Sequence, residues 1–125
     1  MEIHESGEDY LESILILKQN HGYVRSIDVA RHKNYSKPSV SRAMGLLKES
    51  GYIVIDKDGL IDLTDSGQEV AERIYERHQL LTRWLISLGV TPEIAAAEAC
   101  HIEHDVSEDT FQKMKDYILR EIERS

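Results

Sequence analysis

Three side chains with metal-binding atoms lie close together near the C-terminal end of the sequence, at Cys100, Glu103 and His104. Offsets of three and four residues place a thiol, a carboxylate and an imidazole on one face of a helix. Carboxylate and imidazole donors with one thiolate suit a borderline divalent ion such as Mn²⁺, Fe²⁺ or Zn²⁺ better than Mg²⁺ or Ca²⁺. The triplet therefore predicts a transition-metal site.

Donors on two further helices fit the same chemistry. Asp9 and Glu12 lie three residues apart on the first predicted helix, and His78 lies beside an apolar stripe on a long helix. Taken singly, each has an ordinary explanation, because acidic pairs often stabilise a helix start and single histidines or cysteines often have structural roles. Three helices that each offer donors at compatible spacing favour a shared metal site.

The helices that must position these donors follow from hydrophobic periodicity. The first is predicted over Glu8–Gln19, with Ser6 as a candidate cap. In the C-terminal half, a long helix capped by Thr64 or Asp65 is followed by an alanine-rich helix that runs to about His104. A last amphipathic helix completes the chain.

Between the first and the long helix, the sequence has the pattern of a helix-turn-helix and a wing. A short helix and a longer one capped by Ser36, with Pro38 in its first turn, are joined by a tight polar turn. Two short apolar runs then flank a turn at 57–59, which predicts a β-hairpin. The predicted fold is mainly α, with a winged helix-turn-helix DNA-binding domain over residues 1–64 and a helical metal-binding and dimerisation domain over 65–125.

The composition is that of a folded globular protein, with 41% hydrophobic and 30% charged residues among 125. A single cysteine excludes an intramolecular disulfide and leaves a thiol that a reducing compartment keeps available as a ligand. The apolar runs are too short for a membrane span, and Met1–Glu5 lacks the order of a signal peptide. We therefore expect a cytoplasmic protein with no membrane partner.

The net charge of −8 is distributed unevenly along the chain. From Lys18 to Lys57 there are eight basic and three acidic side chains, so this stretch carries +5 and the remainder −13. Phosphate neutralisation supplies most of the non-specific affinity of proteins for DNA, which makes the stretch a candidate cationic face for double-stranded DNA. Basic helix faces that merely contact solvent are the alternative interpretation.

Candidate DNA contacts cluster at the start of the second helix of the helix-turn-helix, where hydroxyls and a helix N-terminus suit phosphates. Arg42 is the best base-reading candidate, because arginine can make a bidentate contact to guanine. Arg25, in the turn before the short helix, and Lys57, on the wing, are expected to contact the DNA backbone. The predicted DNA-binding residues are Arg25, Ser36, Lys37, Pro38, Ser39, Ser41, Arg42 and Lys57.

An apolar stripe on the last predicted helix, with two residues of the long helix, is a candidate dimer interface. An intramolecular core is an equally good interpretation of the same pattern. The residues are Phe111, Met114, Ile118, Ile122, Trp84 and Leu88.

Five segments follow one another in a distinctive order: Glu8-Asp9-Tyr10-Leu11-Glu12, Ser36-Lys37-Pro38-Ser39-Val40-Ser41, Leu63-Thr64-Asp65-Ser66-Gly67, Arg77-His78-Gln79-Leu80-Leu81 and Glu98-Ala99-Cys100-His101-Ile102-Glu103-His104. Together they resemble the DtxR/MntR family of iron- and manganese-dependent transcriptional repressors, and the likeness covers essentially the whole chain. The resemblance implies six metal ligands, and all six positions hold competent donors here. They are Asp9, Glu12, His78, Cys100, Glu103 and His104.

Two of these positions depart from the subtypes of the family and bear on the choice of metal. Iron-type members carry methionine where this sequence has Asp9, and manganese-type members carry glutamate where it has Cys100. A carboxylate at the first position favours Mn²⁺, whereas a thiolate at the second favours Fe²⁺ or Zn²⁺. We therefore expect Mn²⁺ or Fe²⁺ as the cofactor, with Zn²⁺ or another divalent transition metal binding in vitro.

The resemblance implies a metal-dependent repressor of manganese or iron uptake genes, a homodimer that binds a palindromic operator once metal fixes its geometry. A metal-independent winged-helix regulator is the alternative, in which the six donors are ordinary surface and core residues. A metal-dependent hydrolase needs an open coordination position, a general base and a cleft, and nothing beyond the donors suggests these, so we expect no enzyme. A metal carrier explains the donors but leaves the helix-turn-helix and the wing without a role.

Overall fold

The computed structural model of the protein describes residues 5–124, with side chains from residue 6 onward. Residues 1–4, on which most of the signal-peptide expectation depends, and residue 125 lie outside this range. The described residues form six helices and one two-stranded sheet, which confirms the predicted mainly α fold. In chain order the elements are α1 (Glu5–His21), α2 (Ser26–Lys33), α3 (Lys37–Glu49), β1 (Ile53–Ile55), β2 (Ile61–Leu63), α4 (Asp65–Ser87), α5 (Pro92–Ile102) and α6 (Glu108–Arg124).

The chain divides into two compact units, and the division falls inside α4, between Arg73 and Ile74. The first unit holds the helix-turn-helix and the hairpin, and the second holds the rest of α4 with α5 and α6. The predicted domain boundary between residues 64 and 65 lies at the start of α4 and stays a prediction. Within residues 5–124, no helix is both long and apolar enough to cross a membrane.

In the first unit, α2 packs against α1 and α3 to form the helix-turn-helix with its supporting helix. Asn34 follows α2 in the left-handed conformation, with φ 58°, and the chain enters α3 only three residues later. Ser36 caps α3 as predicted, because its Oγ accepts a hydrogen bond from the N–H of Ser39 at 3.3 Å. The prediction that Ser6 caps α1 is wrong, because Glu5 before it is already helical.

The predicted hairpin is confirmed, since β1 and β2 pair in antiparallel fashion and Gly59 takes a φ of 82° in the connecting turn. The N–H of Ile61 donates to the carbonyl of Val24 at 2.8 Å, which attaches the hairpin to the segment between α1 and α2. Lys18 of α1 pairs with Asp62, and its hydrogen bond lowers the pKa of that carboxyl. The hairpin is therefore held by a side-chain contact to α1 and a backbone contact to the segment that follows α1.

The hairpin continues into α4 through a close approach of two backbone segments. Thr64, rather than Asp65, caps α4: its Oγ1 accepts from the N–H of Gly67 at 3.2 Å and donates to the carbonyl of Gly51 at 2.7 Å. Gly67 is buried, and a Cβ at this position would overlap the carbonyl oxygen of Tyr52. Glycine is therefore required for the start of α4 to lie against the hairpin.

The second unit has its own apolar core, to which α4, α5 and α6 each contribute. Phe111 and Ile118 of α6 are each 1% exposed within this core. The dimer-interface interpretation is wrong for these two residues, because a side chain buried within one chain has no surface left for a partner. Of the remaining stripe residues, Met114, Ile122 and Trp84 pack partly buried against the core, whereas Leu88 is 62% exposed.

The end of α5 differs slightly from the prediction, since the helix stops at Ile102 rather than near His104. Glu103 still has helical backbone angles, with φ −60° and ψ −23°, so its spacing from Cys100 is that of a helix. His104 lies in the turn that follows, and Ser107 caps α6. The donor triplet therefore lies at a helix end rather than within a helix.

Candidate metal centre

Four of the predicted donors meet in the second unit. His78 comes from α4 and Cys100 from α5, while Glu103 and His104 lie at the C-terminal end of α5. The donor atoms of Cys100, Glu103 and His104 lie within 4.8 Å of one another. The Nδ1 atom of His78 lies 2.9 Å from Oε2 of Glu103. Two ligands on opposite sides of one ion, each bound at about 2.0–2.3 Å, stand at most about 4.6 Å apart, so the donor atoms of Cys100, Glu103 and His104 need only small shifts to share an ion.

Glu103 lies at the centre of this cluster and is fully buried. Its Oε1 lies 3.4 Å from Nε2 of His104 and accepts no hydrogen bond from any residue that the structure describes. A buried carboxylate is costly unless a cation or hydrogen bonds compensate its charge. A divalent cation bound between carboxylate, imidazole and thiol groups would supply that compensation, so the residues present fit a transition metal.

Packing in the second unit fixes the helices that carry the donors. Leu81, almost one turn after His78, and Ala99, next to Cys100, are both fully buried in the core. The hydroxyl of Thr82 donates to the carbonyl of His78 at 2.6 Å, one turn back on α4. The helix segments that carry the donors are therefore held by close packing of neighbouring residues.

Asp9 and Glu12 belong to the first unit, where they lie three residues apart on α1. Glu12 is buried, at 8% exposure, which is unusual for a carboxylate. The carboxylate of Asp9 lies 3.9 Å from Nζ of Lys33, near the end of α2. Lys33 has no local signal in the sequence, because the contact joins residues that are far apart in the chain. The assignment of Asp9 and Glu12 as ligands stays a prediction.

The eight predicted DNA-binding residues are all exposed on the first unit. Six of them form the start of α3 and its cap, in a segment with no acidic side chain in the first turn. Arg25 Nε donates to the carbonyl of Asp58 at 3.3 Å, which places this cation beside the wing turn that carries Lys57. Exposure makes these residues available to a nucleic acid, and their contacts with DNA stay a prediction.

Arg77, which is only 5% exposed, is absent from the residues predicted to have a role. Arg77 lies directly before His78 and hydrogen-bonds to the backbone beyond the end of α5. The signal in the sequence was an arginine within the apolar pattern of α4. A buried charge usually has a specific partner, so an arginine at such a position indicates a specific contact.

Family models match both halves of the chain. A model described as iron dependent repressor, N-terminal DNA binding domain, matches residues 2–60. A second model, described as iron dependent repressor, metal binding and dimerisation domain, matches residues 64–120. The order of these matches agrees with the order of the winged helix-turn-helix and the donor cluster along the chain.

Individual proteins with a similar sequence or structure are transcriptional regulators. The transcriptional regulator MntR of Escherichia coli O6:H1 is 35% identical over 108 residues, which are 86% of this chain and 70% of that protein. The HTH-type transcriptional regulator MntR of Lysinibacillus sphaericus is 32% identical over 113 residues, which are 90% of this chain and 81% of that protein. The solved structure of the manganese regulator SloR superposes with a TM-score of 0.79 at 29% identity. That match covers 96% of this chain and 55% of SloR, so the chain spans about half the length of this structural relative.

Proposed function

Because the chain belongs to the iron-dependent repressor family, a family of metal-responsive DNA-binding regulators, we propose that it represses metal-uptake genes when Mn²⁺ or Fe²⁺ is plentiful. The observation that carries this proposal is the cluster of His78, Cys100, Glu103 and His104 in a chain that also holds a winged helix-turn-helix. A metal-dependent repressor needs a site for its signal and a surface for DNA, and this chain has a candidate for each. A metal-independent regulator gives no reason for a buried carboxylate, Glu103, to lie among three further metal-binding side chains.

Asp9 and Glu12 complete the proposed ligand set, as their match to the family's ligand positions implies. When bound, a divalent cation supplies a positive centre that attracts carboxylates, imidazoles and the thiolate. His78, Cys100, Glu103 and His104 would hold the ion in the second unit, and Asp9 and Glu12 would add ligands from α1 of the DNA-binding unit. This shared coordination would restrict hinge motion and raise the fraction of homodimers whose two α3 helices match a palindromic operator.

Fluorescence anisotropy with a labelled palindromic promoter fragment of a metal-uptake gene tests this function. The apo protein is compared with protein loaded with Mn²⁺, with Fe²⁺ under anaerobic conditions and with Zn²⁺, all at one salt concentration. We expect the metal to raise DNA affinity by about 5- to 150-fold, the usual range of allosteric coupling. Equal DNA affinity with and without metal would support the metal-independent regulator instead.

Cys100→Ser is expected to lower the affinity for Zn²⁺ about tenfold more than the affinity for Mn²⁺, because a hard hydroxyl replaces a soft thiolate. Competition with a metal-binding fluorescent chelator measures both affinities. His101→Ser changes the next residue, which is exposed, and serves as the matched control. Equal losses for the two metals would show that the thiol does not set the metal preference.

Arg42→Ala is expected to lower the ratio of operator affinity to random-sequence affinity by about 5- to 150-fold, since a bidentate base contact contributes about 1–3 kcal/mol. Lys57→Ala is the comparison, because loss of a phosphate contact weakens binding to both DNAs alike. Anisotropy with an operator duplex and a scrambled duplex of equal length measures the ratio. Equal losses of Arg42→Ala on both duplexes would contradict base reading.

The proposed site binds metal to change DNA affinity and performs no reaction. The proposed place of action is chromosomal DNA in the cytoplasm. Hydrolytic metal sites need an open coordination position for water or substrate, a general base and a cleft, and nothing beyond the six donors suggests these. Turnover of a phosphodiester or peptide substrate by the Mn²⁺-loaded protein would contradict this part of the proposal.

A further inference from the structure

Arg77 is a buried cation of the second unit that holds the backbone next to the donor cluster. Its Nη1 donates to the carbonyl oxygen of Glu103 at 3.0 Å and to that of Val106 at 2.8 Å. Its Nη2 donates to the carboxylate of Glu108 at 2.8 Å. With an exposure of 5%, the guanidinium makes these contacts largely out of solvent, where hydrogen bonds to a charged group are strong.

The contact with Glu103 satisfies a backbone carbonyl that the end of α5 leaves without a partner in the helix. The last carbonyls of an α-helix have no N–H donor within the helix, and α5 ends at Ile102. A planar guanidinium has several N–H donors in fixed directions, so it can bridge two carbonyls and a carboxylate at once. The ring of Phe111, whose centre lies 4.9 Å from the guanidinium carbon, restricts it further. Arg77 therefore fixes the turn between α5 and α6.

Two consecutive residues of α4 thereby contact both the backbone and the side chain of Glu103. Arg77 binds the backbone carbonyl of Glu103, and His78 lies 2.9 Å from its carboxylate. We propose that Arg77 is a positioning residue of the metal centre, which sets the place of Glu103 and His104 relative to His78 without binding the metal. This inference rests on the proposed function, because it assigns Arg77 a part in the same site.

Co²⁺ titration of the full chain, followed by absorption spectroscopy, tests the positioning role. Arg77→Met keeps an unbranched apolar stem but removes every donor, whereas Arg77→Lys keeps the charge with a single amino group. We expect Co²⁺ affinity to fall about tenfold in Arg77→Met, the lower end of the range for outer-shell residues, with an intermediate loss in Arg77→Lys. The Co²⁺ d–d bands and the thiolate charge-transfer band should also change, because the ligands take a different geometry.

Two control variants separate positioning from other effects of lost charge. Lys115→Met removes an equal charge from the same unit, where Lys115 pairs with Glu76 at 2.8 Å, and is expected to leave the Co²⁺ affinity and spectrum unchanged. Glu108→Gln removes the carboxylate partner of Arg77 but retains both carbonyl contacts, and we expect it to keep the wild-type spectrum. All titrations are done at a temperature where circular dichroism shows each variant to be folded.

The possible outcomes distinguish this inference from the proposed function. A wild-type Co²⁺ spectrum and affinity in Arg77→Met would overturn the positioning role and leave the metal site standing. Failure of the wild-type chain to bind Co²⁺ would overturn the proposed function itself. If Arg77→Met does not fold, Arg77→Lys decides, because an unchanged spectrum in this folded variant overturns the inference as well.

Discussion

Glu103→Gln is expected to lower the affinity for Mn²⁺ by at least about 100-fold and to remove the metal-dependent rise in DNA affinity. Glu103 is fully buried, with its two carboxylate oxygens next to His78 and His104. The amide keeps the shape of the side chain but loses its negative charge, and even substitutions of outer-shell residues reduce metal affinity by about 10- to 100-fold. Calorimetric titration with Mn²⁺ and anisotropy with operator DNA measure the two effects.

Thermal unfolding separates the loss of metal binding from a loss of folding. A ligand present at 100 times its Kd stabilises the native state by about 2.7 kcal/mol, and we expect Glu103→Gln to lack this gain with Mn²⁺ while the apo protein stays folded. Glu98→Gln makes the same charge change at an exposed position of α5 and should behave as the wild type. Wild-type Mn²⁺ affinity in Glu103→Gln would show that Glu103 is not a ligand.

Gly67→Ala is expected to destabilise the first unit by about 3 kcal/mol or more. The added Cβ would overlap the carbonyl oxygen of Tyr52, a backbone atom that cannot rotate away as the tip of a side chain could. Overpacking of a tight contact usually costs about 1–3 kcal/mol and occasionally more. Because the N–H of Gly67 also donates to Thr64, a shift of the helix start would weaken the α4 cap in addition. Urea unfolding followed by circular dichroism measures the change in the free energy of unfolding.

Gly45→Ala is the matched control, and its effect should have the opposite sign. Gly45 is an exposed position within α3, and a Cβ there would have no atom within 4 Å beyond its own helix and chain neighbours. Replacement of a helical glycine by alanine is favourable by about 0.5–1 kcal/mol. If Gly67→Ala instead matched or exceeded the wild type in stability, the close approach of α4 to the hairpin would be disproved.

Local signals predicted the elements of the fold because each depends on residues that are neighbours in sequence. Ser36 caps α3, Thr64 caps α4 and Gly59 shapes the hairpin turn, all within four residues of the groups that they satisfy. The wrong prediction that Ser6 caps α1 also depends on a neighbouring residue. A serine caps a helix only if the residue before it is not helical, and Glu5 is helical.

The sequence by itself determined the kinds of donors and the family of this protein. Cys100, Glu103 and His104 have a spacing that any helix or helical turn brings together, so their chemistry could be predicted without a structure. The order of caps, strands and turns along the chain likewise identified the winged helix-turn-helix. These features are read from residues close in sequence or from their order, which folding does not change.

Only the tertiary structure decided which groups are buried and which distant residues meet. Glu103 is fully buried although carboxylates usually lie at the surface, and Arg77 reaches carbonyls that are 26 and 29 residues further along the chain. Phe111 is covered by its own chain rather than by a partner. A periodic sequence shows that a helix face is apolar but not what covers it, because burial and the desolvation of charges depend on groups from separate parts of the chain.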